Sequence, residues 1–407
     1  MPVYLDHAAT TPLLPVARSA YIDALSLVGN PSSIHSQGQG AKRMLEEARE
    51  AIAESVGAEP VEVILTSGGT ESINLGVKGL WWARQEGAAG APGSRPVVLV
   101  PGGEHHATVD AVEWLARHEG AQVVELPVDS VGRVDPVVLR SALELHGASV
   151  ALVTLIWANN EVGTVQPVAS LVAVADDFGV PVHVDAVAAY GYLPIDFHAV
   201  GAAALSVSAH KIGGPVGVGA LVLARRSTVE PLIHGGNQQR VRSGTQDAAG
   251  AAAFAAAARA VTGEFADGPS PFVAGLAALR DRLVAGVRMA VPEAVLRGDD
   301  PASDGGRGRL PGNAHFTFPG CEGDSLLFLL DMAGFSVSTG SACQAGVPEV
   351  SHVLKAMGVP DDEARGALRF TLGHGTTADD IDALVAALPA AYAAARRAGF
   401  AAREVGR

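Results

Sequence analysis

From residue 61 to 225 the chain alternates short β-branched runs with amphipathic stretches at helical spacing. The pattern predicts strands over Val61–Thr66, Pro96–Val100, Gln122–Leu126, Ser149–Ile156, Val180–Val184, Leu205–Val207 and Val218–Leu223. Between most of them it predicts helices, over Glu71–Gln85, Thr108–His118, Pro136–Leu145 and Pro167–Phe178. Such alternation implies an α/β fold whose seven strands form a mixed, mostly parallel sheet with helices on both faces. The last run follows its predecessor without a helix and is read as antiparallel. In sheets of this kind ligands bind outside the carboxyl ends of the strands.

After residue 246 the texture changes. Asp247–Val261 is an Ala-rich helix candidate, and Asp299–Gly312, rich in Gly and charge, reads as a mobile surface loop. Beyond it come a strand (Ala314–Phe318), a helix (Asp324–Met332), a strand (Ser336–Thr339), a helix (Glu349–Met357), a strand (Leu368–Leu372) and a terminal helix from Ala378. The expectation is a large domain over residues 16–262 and a smaller α+β domain made of 1–15 and 263–407.

Composition narrows the function classes. The chain has 407 residues, 48% of them hydrophobic and 18% charged, which argues against disorder and for a full core without disulfide staples. The net charge of −14 repels phosphate backbones, so no nucleic-acid partner is expected. Two cysteines, Cys321 and Cys343, are too few for a secreted disulfide framework and fit a reducing cytoplasm. The N-terminus MPVYLDHAATTP has no basic and apolar leader pattern. The charge-free runs Ala24–Ala41 and Met332–Pro348 carry too many Ser, Gly, Gln and Pro residues for a bilayer core, so no membrane association is expected.

Several positions could carry chemistry. Ser67-Gly68-Gly69-Thr70-Glu71 lies between a strand and a helix. Free N–H groups at a helix start, with a Thr hydroxyl, can cradle a phosphate, although an ordinary turn reads the same way. No GK[ST] follows, so this is not a Walker loop, and no GxGxxG marks a nicotinamide site. Asp185 and Lys211 stand at the ends of neighbouring predicted strands, the latter followed by Gly213-Gly214-Pro215. A desolvated lysine can form a Schiff base. A carboxylate beside it can keep a pyridine nitrogen protonated, so the pair suits pyridoxal 5'-phosphate.

His105 and His106 follow the Pro96–Val100 strand; adjacent residues alternate in direction, so at most one of them is expected to face the site. No metal-ligand spacing such as HExxH or CxxC occurs, and no metal is expected. Cys343 sits in Ser341-Ala342-Cys343-Gln344-Ala345-Gly346, a small-residue segment that reads as an exposed loop suited to a travelling nucleophile. Cys321 reads as incidental. Arg369, in a predicted strand, could clamp a carboxylate or form a structural ion pair, and Arg242-Ser243-Gly244-Thr245 is a turn that could meet a phosphate.

Taken together these residues resemble the cysteine desulfurases of NifS/IscS type, fold-type I pyridoxal phosphate enzymes of the class-V aminotransferase group. The likeness runs through Tyr4-Leu5-Asp6-His7-Ala8-Ala9-Thr10-Thr11, Gly29-Asn30-Pro31-Ser32-Ser33, Thr66–Ser72, Glu104-His105, Asn159–Gly163, Val184-Asp185-Ala186, Ala209-His210-Lys211, Arg242–Thr245 and Ser341-Ala342-Cys343. By position, the resemblance implies that Lys211 carries the cofactor aldehyde and Asp185 meets the ring nitrogen. His105 would stack on the ring and move protons. Gly69, Thr70, Ser208 and His210 would bind the phosphate, with Thr245 serving the partner subunit of a homodimer. Asn160 would approach the ring hydroxyl or the substrate, and Arg369 the carboxylate of L-cysteine. Cys343 would take the sulfur as a persulfide, release alanine as the other product, and pass the sulfur to an acceptor protein of iron–sulfur cluster assembly or tRNA thiolation.

The chain departs from the family at Ala188, where a Gln often meets the ring hydroxyl, and in Gln344–Pro348 after the cysteine. Two other readings stay open on the sequence. One is a selenocysteine or carbon–sulfur lyase, or an aminotransferase, of the same fold; the other is a non-catalytic relative that binds a partner.

Overall fold

The structure, a computed structural model, describes residues 2–85, 94–236, 238–262, 270–303, 305–340 and 350–405. The chain opens with β1 (Val3–Tyr4), α1 (Pro15–Leu25) and α2 (Ser36–Glu54). There follow β2 (Val63–Thr66), α3 (Gly69–Ala83), β3 (Val97–Pro101), α4 (His106–Glu119), β4 (Gln122–Leu126), α5 (Pro136–His146), β5 (Val150–Ile156) and α6 (Val168–Asp176). β6 (Val182–Asp185), the short α7 (Phe197–Val200), β7 (Ala204–Ser208) and β8 (Gly219–Leu223) complete the main sheet. The remainder is α8 (Ala248–Thr262), α9 (Pro271–Ala290), β9 (Val295–Arg297), β10 (Asn313–Thr317), α10 (Gly323–Met332), β11 (Phe335–Ser336), α11 (His352–Ala356), α12 (Asp361–Ala364), β12 (Ala367–Thr371) and α13 (Ala378–Val405).

The seven-stranded sheet has the order β2-β8-β7-β6-β5-β3-β4. β3 to β7 pair in parallel, while β8 runs antiparallel to both β2 and β7, as its missing crossover helix implied. The central strands β5, β6 and β7 are buried along their whole length, because helices cover both faces. After β3 the chain steps outward to β4 and then back across to β5. The carboxyl ends of β3 and β5 therefore flank a switch point, the place where such sheets open a crevice.

A second core gathers Leu5, Leu283, Phe316, Phe318, Leu330, Phe370 and Leu384 around the antiparallel sheet β12-β10-β9. β1 pairs in parallel with β11, and Asp6 bridges to Thr371, so the N-terminal residues join this second sheet system. Cys321 is buried here, its thiol 3.8 Å from the Tyr392 carbonyl and pushed up to about 11 by burial, which suits a packing role. Among the described residues no helix is long and apolar enough to cross a membrane.

Five helices escape the sequence pattern: α1, α2, α9 and the four-residue α7 and α12. The first turn of α2 carries Gly38 and Gly40, which weaken a helical reading. In α9 a side chain at Gly286 would meet Val385 of α13 at 2.6 Å, so this glycine serves close helix contact rather than a turn. The reading of Asp299–Gly312 as a mobile surface loop is corrected for its last part, 308–312, which is buried, while Ala302, Ser303, Gly305 and Arg307 are exposed. Arg309 within it is 1% exposed, and its guanidinium donates to the carbonyls of Asp299 at 2.6 Å and Val162 at 2.7 Å. A loop that pins a buried cation to two main-chain carbonyls is part of the core wall.

Candidate active site

A cavity of about 410 Å³ opens at the carboxyl ends of β3, β5 and β6. It brings together Gly69, Thr70, His105, Asn160, Asp185, His210, Lys211 and Arg369, with Ala188 also in its wall. Residues far apart in sequence meet here because each stands just past a strand of the parallel rim or at a neighbouring strand of the second sheet.

Lys211 ends the turn after β7. Its Nζ donates to the carbonyl of Ala9 at 3.0 Å and also to that of Ala8, so the N-terminal segment holds the amine in the cavity. Burial, then the Arg369 cation, lowers its pKa to about 8; Asp185 and Asp6 oppose the shift. Asp185 ends β6, and its Oδ1 accepts the Val187 N–H at 2.9 Å. Burial raises its pKa to about 6, against that hydrogen bond and the Lys211 charge. The two groups are thus an amine that gives up its proton easily and a carboxylate short of a cation.

His105 caps α4: its Nδ1 accepts the Ala107 N–H at 3.1 Å, which leaves Nε2 as the protonated nitrogen of the neutral ring. Burial, then Lys211, lowers its pKa to about 4. His106 lines the cavity as well, which corrects the expectation that one of the pair faces away. Strand alternation does not apply, because His105 is the cap and His106 the first helical residue. The His106 ring lies 4.8 Å from that of His352, whose Nε2 donates to the Glu104 carbonyl at 2.7 Å.

At the start of α3 the backbone comes very close to its neighbours. A side chain on Gly69 would meet Val187 at 2.8 Å and Ser208 at 3.5 Å. Ser208 is fully buried, and its Oγ has no partner among the described residues. His210 Nδ1 lies 3.2 Å from the Thr10 hydroxyl, and burial lowers its pKa to about 4. The start of α3, the Thr70 and Ser208 hydroxyls and the His210 imidazole are thus set close together, a donor set that suits an anion.

Arg369 lies in β12 and is 5% exposed. Its Nη1 donates to the Asn160 carbonyl at 2.9 Å and its Nη2 to Asp6 Oδ1 at 2.9 Å, while its buried Nε has no partner among the described residues. It is an ion-pair member and a cavity wall at once. Thr245 does not reach this cavity; it lines a separate one of about 100 Å³ with Ser67 and Arg242. Arg242 pairs with Glu71 at 2.9 Å, on the outer side of the α3 start. Cys343 lies outside the described residues; Gly340, three positions before it, is in the cavity wall.

The class-V aminotransferase model matches residues 3–384. The chain belongs to that family, within its NifS/IscS-like cysteine desulfurases. An IscS-like cysteine desulfurase of Mycobacterium tuberculosis is 52% identical over 98% of this chain and 98% of its own. A solved NifS-like protein superposes with a TM-score of 0.83 at 31% identity, over 96% of this chain and 99% of that one. The structure of SspA in complex with cysteine aligns with a TM-score of 0.74 at 29% identity, over 91% of this chain and 98% of that one.

The sequence reading gave no role to three residues in or beside the cavity. Asp6 holds Arg369, Glu161 accepts the Ser351 hydroxyl at 2.6 Å, and Glu104 stands in the floor. Their signal was weak but present, since Asp6, Glu104 and Glu161 each sit inside a polar motif at the end of a strand or turn.

Proposed function

We propose that this protein is a pyridoxal phosphate-dependent cysteine desulfurase that moves sulfur from L-cysteine to its own Cys343. The observation that carries the reading is the pairing of a depressed Lys211 with a buried Asp185 in one cavity of a NifS/IscS-like chain. The residues present fit the cofactor. The unpartnered Ser208 hydroxyl and the cradle that a side chain on Gly69 would fill suit a phosphate. When bound, the cofactor supplies an electron sink next to the substrate amine.

Each residue then has a task set by its surroundings. Lys211 holds the aldehyde, and its low pKa leaves it able to accept and return a proton near neutrality. Asp185 meets the ring nitrogen, and the ring's positive charge would hold its carboxyl ionised. His105, neutral and aligned by its cap bond, would stand against the ring and offer Nε2–H. Gly69, Thr70, Ser208 and His210 hold the phosphate. Arg369, fixed by Asp6 and the Asn160 carbonyl, presents its remaining donors to the substrate carboxylate, with Asn160 beside it.

Cys343 takes the sulfur as a persulfide. It follows cavity residue Gly340 by three positions, a chain length that spans at most about 11 Å. The acceptor that removes the sulfur is a partner protein of cluster assembly or thiolation. The two-domain division into 16–262 and 1–15 with 263–407 belongs to this proposal, as does a cytoplasmic location. So does a homodimer in which Thr245 serves the other subunit. Val28 and Ile34, 80% and 92% exposed, and the exposed Val16, Ile22 and Leu25 support an apolar face for a second copy.

The test is Cys343→Ser. The variant should keep the cofactor's visible absorbance and lose sulfur transfer from cysteine. Undiminished sulfide and alanine production by it would assign the sulfur to another acceptor group and favour a lyase.

A further inference from the structure

Glu104 has no task in the reading above, yet it stands in the cavity floor and is 1% exposed. Its Oε1 accepts the N–H of Ile156, the last residue of β5, at 2.8 Å. Among the described residues its buried Oε2 has no partner, and no ion pair holds this carboxyl. Asp185, 2% exposed, lines the same cavity. Of two buried carboxyl groups that line one cavity, one is held back from ionising: burial burdens both, and the Asp185 charge burdens Glu104.

The surroundings decide which of them keeps the proton. Asp185 takes an N–H from Val187 and is favoured by the Lys211 cation. Glu104 has one N–H and the repulsion of Asp185, and burial pushes its carboxyl well above the usual range. The other titratable groups in the cavity wall are His105 and His106 at the start of α4, Glu161 after β5, His210 and Lys211 after β7, His352 of α11 and Arg369 of β12, and among the described residues none of them makes an ion pair with it. His352 reaches only its main-chain carbonyl.

We propose that Glu104 is a positioning residue that stays a neutral carboxylic acid in the working enzyme and so confines the negative charge of the cavity floor to Asp185. The inference rests on the cavity being the cofactor site. A neutral Glu104 leaves a single anion to meet the ring nitrogen. An ionised one would compete for the same proton and weaken the distinction.

The test is infrared absorption of the cofactor-loaded protein at neutral pH, with glutamate carrying a carbon isotope label. A protonated-carboxyl band should be present, shift with the label, vanish in Glu104→Gln and survive in Asp185→Asn. Absence of a glutamate-derived band, or a band that Glu104→Gln leaves in place, would overturn the proposal. A second readout is the pH midpoint of the cofactor's visible absorbance. Glu104→Gln should leave it within about 0.3 of a pH unit, since a neutral amide replaces a neutral acid; a move of about one unit or more would show that the wild-type side chain is charged. If Glu104→Gln does not fold, the isotope shift in the wild-type protein decides alone. Cysteine turnover is not read in any arm, so loss of the desulfurase reading and loss of this one are separate results.

Discussion

The two ends of the same parallel strands carry cavities of similar size. The carboxyl ends hold one of about 410 Å³, and the amino ends of β6 and β7 hold one of about 360 Å³. In the first, an amine, two carboxyls and two imidazoles have pKa values moved by burial and by one another. In the second, Arg226 donates to the Gly201 carbonyl at 2.9 Å and Arg84 to the Gly179 carbonyl at 3.3 Å, so their guanidinium groups tie down loop ends. Volume does not distinguish the two. Convergence of titratable groups does, and it follows from chain direction: the loops after parallel strands all leave from one rim.

The comparison breaks first at Lys211. Lys211→Ala should abolish the cofactor's lysine-bound visible absorbance and cut alanine formation by roughly 10³-fold or more, because the group that holds the cofactor is gone. An unchanged spectrum would remove the carboxyl-end cavity from the account. Next in size is the pH dependence of cofactor loading. The lysine reacts as the neutral amine, so its reactive fraction grows with pH up to its pKa of about 8 and then levels. Loading of the cofactor-free protein should therefore speed up about tenfold per pH unit below that value and plateau above it. A plateau that starts only near the ordinary lysine range would contradict the desolvated amine. The smallest effect belongs to the other end. Arg226→Ala should change alanine formation by less than about twofold, as for a surface residue away from the site, while a large loss would mean that the amino-end cavity takes part.

Much of this contrast was legible in the residues. The β-branched runs marked β2 to β8 closely, because most of these strands are buried along their length and read as continuous apolar segments. Asp185 and Lys211 followed from that, since strand ends place their next residues at the rim. What stayed hidden depends on partners far along the chain. Arg369 is fixed by Asp6, 363 positions away, and no local pattern reports such a contact. Arg309 looked like loop charge, yet carbonyls of Val162 and Asp299 bury it. Glu104 was visible only as the neighbour of His105; its lack of a counter-charge is a property of the folded cavity.

The most direct measurement is made on freshly purified, cofactor-loaded protein given L-cysteine without reductant. Alanine is quantified, and the peptide containing Cys343 is weighed by mass spectrometry. The account predicts alanine together with one added sulfur on that peptide. Alanine with no sulfur added at Cys343, or no alanine from protein whose cofactor absorbance is intact, would contradict it.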